Sequence, residues 1–178
     1  MFENAEIQPE ELPAVDAVTW QDMDAKFLRR QLTESGIGFF FTVIGISSLH
    51  TILNVAFADA NMDIRLGWLW LIPLFLGPLL FAWPVASVRR KGYAIRERDI
   101  IYKSGIFWQT VTAIPFNRIQ HVEKSSTPLD RRFQLASLQI YTAGGSGGDL
   151  KIHGLPAKTA EKLRQFVLEK IGASVEQA

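Results

Sequence analysis

The sequence predicts an α+β membrane protein: a two-helix transmembrane hairpin followed by an antiparallel β-barrel capped by a C-terminal α-helix. Three observations carry this. Gly36 to Ala58 and Gly67 to Val88 are runs of 23 and 22 residues without a charge. From Gly92 to His153 the chain falls into short, largely alternating stretches rich in β-branched and aromatic residues, broken by Gly, Pro and Asn. From Pro156 to Ile171, the residues Ala160, Leu163, Phe166, Val167 and Ile171 recur at helical spacing.

At 1.5 Å per residue each uncharged run reaches roughly 33 to 35 Å, and the hydrocarbon core of a bilayer is about 30 Å thick. The alternative is a buried helix pair in a soluble core. It fails because 178 residues leave too little other chain to cover two helices apolar on every side. The first run starts after 35 residues dominated by acids and is longer than a signal peptide's apolar region, so both spans are expected in the mature protein. Pro73, Pro78 and Pro84 predict kinks in the second span. Trp68 and Trp70 at one end and Trp83 at the other suit the two membrane interfaces.

Charge divides the chain. Met1 to Glu34 carries eight Asp or Glu against three Lys or Arg, whereas Arg89 to Ala178 carries fifteen Lys or Arg against eight Asp or Glu. Lys26, Arg29 and Arg30 precede the first span, and Arg89, Arg90 and Lys91 follow the second; the connecting turn holds one Arg against two Asp. By the positive-inside rule the protein sits in the cell (inner) membrane with both termini cytoplasmic. The expected organisation is an acidic arm over 1–35, a hairpin over 36–88 (spans 36–58 and 67–88), a cytoplasmic domain over 89–172 and a tail over 173–178. Within the arm, Met1 to Thr19 reads as a mobile tail. Trp20 to Leu32 reads either as a juxtamembrane amphipathic helix or as a polar extension of the first span.

In the first span, Gly38, Thr42, Gly45 and Ser48 share a face that lets another helix approach closely. Ser47, His50 and Asn54 form a polar strip that must find partners in hydrocarbon. Interhelical hydrogen bonding satisfies it, and so does a polar transport path through an oligomer. The strip has no carboxylate partner in either span, which favours hydrogen bonding.

Beyond the membrane, strands are expected at Gly92 to Arg96, Ile100 to Ser104, Phe107 to Phe116, Arg118 to Lys124, Ser137 to Ala143 and Asp149 to His153. Thr127 to Gln134 reads as a polar connection. Pro156 suits the first turn of the last helix and Gly172 its end.

The same residues exclude much chemistry. There is no cysteine, so disulfides, thiolate metal sites and a Cys nucleophile are absent. His121 and His153 lie on separate strands with no neighbouring carboxylate pattern, so no metal is expected, and no cofactor either. No Ser-His-Asp set or spaced carboxylate pair is legible, so no enzyme is expected. Gly144-Gly145-Ser146-Gly147-Gly148 could cradle a phosphate, but it lacks the Lys-Ser/Thr of a P-loop and precedes a strand, so it reads as a hairpin loop. Nucleic acid is not expected as a partner, since the aromatics of the basic domain alternate as core residues. Topogenic charge accounts for Arg89, Arg90 and Lys91. It leaves Arg96, Arg98, Arg131 and Arg132 as candidates for binding lipid or a partner, and the whole basic set as a candidate headgroup contact.

Residues 92–171 carry a further pattern. Its words are Gly92-Tyr93, Ile114-Pro115-Phe116 followed by Arg118-Ile119-Gln120, Pro128-Leu129 with Arg131, Thr142-Ala143-Gly144-Gly145, and Gly154-Leu155. In this order, behind two spans and a charged arm, they resemble the second bacterial type of pleckstrin-homology-like (PH-like) domain, in the form borne by membrane proteins of the YdbS-like group. The resemblance implies a PH-like barrel capped by a helix and a tendency to self-associate; it implies no reaction and transfers no ligand residues. One word departs from the pattern: Phe133-Gln134-Leu135 stands where Phe-Gly-Leu is expected, which bears on any tight turn there. The expected role is a non-enzymatic interaction module for membrane lipids, for further copies of the chain as a homo-oligomer, or for a companion membrane protein. The alternative is a subunit of an oligomeric transport or export system.

Overall fold

The structure, a computed structural model, describes residues 18–57, 66–142 and 150–176. The expectations for the acidic tail, the turn between the spans, the Gly144 to Gly148 loop and the last residues therefore lie wholly or largely outside the described residues.

A two-residue strand, β1 (Gln21–Asp22), leads into α1 (Ala25–Ala56). The Asp24 side chain caps the first turn, accepting from the Lys26 N–H at 2.7 Å. The helix expected to open near Trp20 thus begins at Ala25, and it runs unbroken into the first span. Its 32 residues reach about 48 Å, so roughly 18 Å projects beyond the hydrocarbon.

A 3₁₀ turn (Leu66–Trp70) precedes α2 (Leu71–Arg89). Pro73 falls in the first turn, where no intrahelical bond is lost, while Pro78 and Pro84 lie inside the helix. The two helices pack side by side through Phe39, which lies 6.1 Å edge-on from Phe81 and covers Gly77 so closely that a Cβ there would sit 3.0 Å from its ring. Most of their remaining surface is apolar and exposed, as lipid requires.

The chain then forms β2 (Gly92–Ile95), β3 (Asp99–Ser104), β4 (Thr110–Pro115), β5 (Ile119–Ser125), α3 (Pro128–Arg132), β6 (Leu135–Thr142), β7 (Leu150–Pro156) and α4 (Ala157–Glu176). All pairings are antiparallel, in two sheets ordered β1-β2-β3-β4 and β5-β6-β7. The expected barrel is therefore open, two sheets facing each other with α4 laid across the second. Ile100, Leu135, Leu138, Ile140, Ile152, Leu155 and Val167 fill the core without measurable exposure or nearly so. Pro156 ends β7 instead of opening the helix, and α4 continues past Gly172, whose position has free space around it.

The stretch before the membrane belongs to this core. Gln21 pairs with Tyr93 and Asp22 with Gly92, adding an edge strand from the other side of the hairpin. Met23 and Phe27 are buried in the same cluster as Tyr93, Leu155 and Val167, with Leu28 packed against it. Phe27 lies flat over Gly154, where a Cβ would come within 2.2 Å of its ring. Both ends of the hairpin are thus on one side of the membrane.

Candidate functional site

Three passages of the chain meet at the membrane exit. The first is the pre-span turn of α1. Its Arg30 Nε donates to Asp130 Oδ1 at 2.9 Å, and Arg30 also pairs with Glu34 one turn on. The other Asp130 oxygen accepts from the N–H and hydroxyl of Thr127 at 2.9 and 2.7 Å, and the Asp130 N–H donates back to that hydroxyl. This capping box builds α3, the helix that sequence reading took for a connection. Though burial works against ionisation, Thr127 and Arg30 hold the Asp130 carboxyl below the usual carboxylate range.

The second passage is Lys91, just past α2. Its ammonium lies 5.5 Å from the Phe27 ring centroid and is half-buried, and that burial lowers its pKa. The third is β7, which brings Lys151 and His153. Burial, then the charges of Lys151 and Lys91, push the His153 pKa down to about 4 against the pull of Asp130, so its ring is neutral at neutral pH. Its Nδ1 lies 3.2 Å from the Ser137 hydroxyl. Together these residues line a cleft of about 240 Å³ with Gln31, Ser125 and Thr127. Asp130 is matched by Arg30, while neither Lys91 nor Lys151 has a carboxylate partner among the described residues.

The β3–β4 turn reaches the same end of the domain. Because β2 leaves the membrane and β3 returns along it, with Gly92 opposite Lys103, residues 105–109 descend beside α2. Phe107 and Trp108 are 77% and 85% exposed, so they are not the strand residues the alternation suggested. Phe107 packs on Trp83 of α2 at 6.2 Å between ring centroids, and Arg90 donates to the Ile106 carbonyl at 2.6 Å. Gly105, at φ +113°, makes the turn: a Cβ there would strike the Trp108 carbonyl oxygen at 1.8 Å.

The structure separates the sequence-derived basic set. Arg89, Arg90 and Lys91 stand at the exit. Arg131 and Arg132 are exposed on α3 beside the cleft, Arg131 donating to the Ser126 carbonyl at 3.4 Å. Arg96 and Arg98 lie in the β2–β3 turn, a strand's length away, where Arg96 clamps Asp99 through two 2.8 Å bonds. The membrane strip is divided as well. His50 turns inward to Trp70 at 6.5 Å between ring centroids, its Nδ1 buried without a hydrogen-bond partner among the described residues. Ser47 and Asn54 are exposed on the outer side of α1. Sequence reading missed Arg30, Lys151 and His153 as neighbours, because the cleft joins residues 27–31 of α1 to segments 60 or more residues further along the chain. The legible signal was the Thr127-to-Asp130 capping spacing.

Comparison with known proteins agrees with this architecture. Residues 39–171, well over half of the chain, match a family model described as bacterial PH domain. The chain is 34% identical over 107 residues to the UPF0699 transmembrane protein YdbS of Bacillus subtilis (strain 168), covering 57% of this chain and 61% of that protein. It is 30% identical over 97 residues to the UPF0699 transmembrane protein YdbT of the same organism, covering 52% and 20%. Each match spans less than two thirds of the relative's own length. No solved structure matches. Two apolar helices of spanning length, the open pair of sheets with its closing helix, and a family match running through both lead to one conclusion: this is a membrane protein, and it belongs to the bacterial PH domain family.

Proposed function

We propose that the protein is a non-enzymatic interaction module whose PH-like domain lies against the cytoplasmic leaflet of the cell membrane and meets anionic lipid headgroups there. The contact of Phe107 with Trp83 carries this reading. Trp83 lies five residues before Val88, about 7.5 Å into the span, and is itself exposed to lipid. An aromatic pair at that depth suits the headgroup–acyl boundary, where amphipathic rings partition. Arg89, Arg90 and Lys91 beside it, with Arg131 and Arg132, add cations worth on the order of 1 kcal/mol each near anionic lipid. The outward Ser47 and Asn54 offer a second contact face to another copy of the chain or a companion membrane protein.

The natural sequence has no cysteine, so a single Trp108→Cys spin label in nanodiscs reports depth directly. The label should be more accessible to oxygen than to an aqueous nickel reagent, with the reverse at Gln120→Cys. Equal aqueous accessibility at both positions defeats the reading. The same label at Asn54→Cys should show dipolar broadening where copies meet.

A further inference from the structure

We infer that the juxtamembrane cleft between α1, α3, β6 and β7 is a binding site for a phosphate monoester, held by Lys91 and Lys151 with Ser125 and Ser137. The inference rests on the membrane-docked reading for one of its two ligand sources only. Charge comes first. Arg30, Lys91 and Lys151 face the cleft against a single carboxylate, and Asp130 spends both oxygens on Arg30 and Thr127. The half-buried Lys91 and the exposed Lys151 at its mouth thus face the cleft without a counter-charge from the described residues, an arrangement that an anion relieves. Lys91 is pressed over Phe27, and the desolvation that lowers its pKa makes an ion pair there stronger than one in water.

Shape and donor set narrow the anion. About 240 Å³ is smaller than the roughly 300 to 1,000 Å³ of a pocket for a drug-sized molecule, so the occupant is a compact group. Two ammonium groups, the hydroxyls of Ser125 and Ser137 and the His153 ring offer more donors than the two oxygens of a carboxylate can use, and a tetrahedral phosphate uses them. An incoming dianion also offsets the positive field of Lys151 and Lys91 that adds to burial in disfavouring the His153 proton.

Position names the sources. Lys91 stands two residues past the end of α2, within the headgroup layer, and Arg30 about 9 Å along α1 from Gly36. The phosphate is that of a monoester lipid such as phosphatidic acid or that of a soluble phosphate.

The full-length protein in neutral detergent is titrated calorimetrically with dioctanoyl phosphatidic acid, with inorganic phosphate, and with dioctanoyl phosphatidylcholine as the diester control. The monoester lipid or inorganic phosphate should bind in preference to the diester. Lys151→Glu, at an exposed position that leaves the core untouched, and Lys91→Met should each weaken binding at least tenfold, about 1.4 kcal/mol. Binding of the lipid alone upholds the site with a membrane source, and comparable binding of inorganic phosphate upholds it with a soluble one. If neither binds, or both variants bind as the wild type does, the site is refuted. A label at Trp108→Cys that still reports lipid depth then leaves the docked reading standing while this one falls.

Discussion

Gln134 is the one non-glycine residue at positive φ among those described, at +59°, in the word where Phe-Gly-Leu was expected. The turn between α3 and β6 fixes this geometry: the Gln134 N–H donates to the Arg131 carbonyl at 3.1 Å, and its own carbonyl accepts from the Ala157 N–H at 2.9 Å. An L-residue pays about 1 to 2 kcal/mol for the left-handed region, partly offset because glycine loses more freedom on folding. The Lys26 bond to its side chain, at 3.4 Å and exposed, compensates little. Gln134→Gly should therefore stabilise the protein by roughly 0.5 to 1 kcal/mol. A thermal unfolding midpoint in detergent that stays put or drops contradicts this. The departure from the family word was legible in the sequence; its cost needed the backbone angle.

Among the elements, α1 has two environments along one rod. Its upper part is a span, apolar and exposed; its first three turns are a piece of the domain core. Phe27 fills the space a Cβ at Gly154 would occupy and buries all but 4% of its surface, so Phe27→Ala should cost about 3 to 5 kcal/mol, read by denaturation of the domain. A loss under 1 kcal/mol would mean that this segment merely rests on the domain. Periodicity over Trp20 to Leu32 allowed an amphipathic helix, yet it could not say whether its apolar residues meet lipid or protein. The strands β2, β3 and β6 were legible because their alternation is long enough to count. β1 was not, since two residues carry no period, and α3 was not, since five residues fit a loop equally well. Phe107 and Trp108 look like strand residues by type, and only the glycine turn before them sends them outward.

For the whole molecule, the shared core sets a topology that charge counting had suggested by a separate route. Thr19 and Glu169 are both exposed, one before the hairpin and the other on the closing helix. Single Thr19→Cys and Glu169→Cys variants should both resist an impermeant maleimide in intact cells and both react after permeabilisation. Opposite protection of the two overturns the hairpin itself. Their common side is dictated by packing between α1 and β7; the flanking positive charges are the ground for expecting that side to be the cytoplasm, which the maleimide protection tests.

The stacking of Phe27 on Gly154 also bears on biogenesis. The ribosome releases the phenylalanine long before its glycine partner, and two membrane crossings intervene. A nascent chain that integrates only one of those crossings strands the two residues in different compartments, where they cannot meet. Completion of the domain fold is thus a built-in inspection of membrane insertion, and misinserted chains are left with an unfinished core.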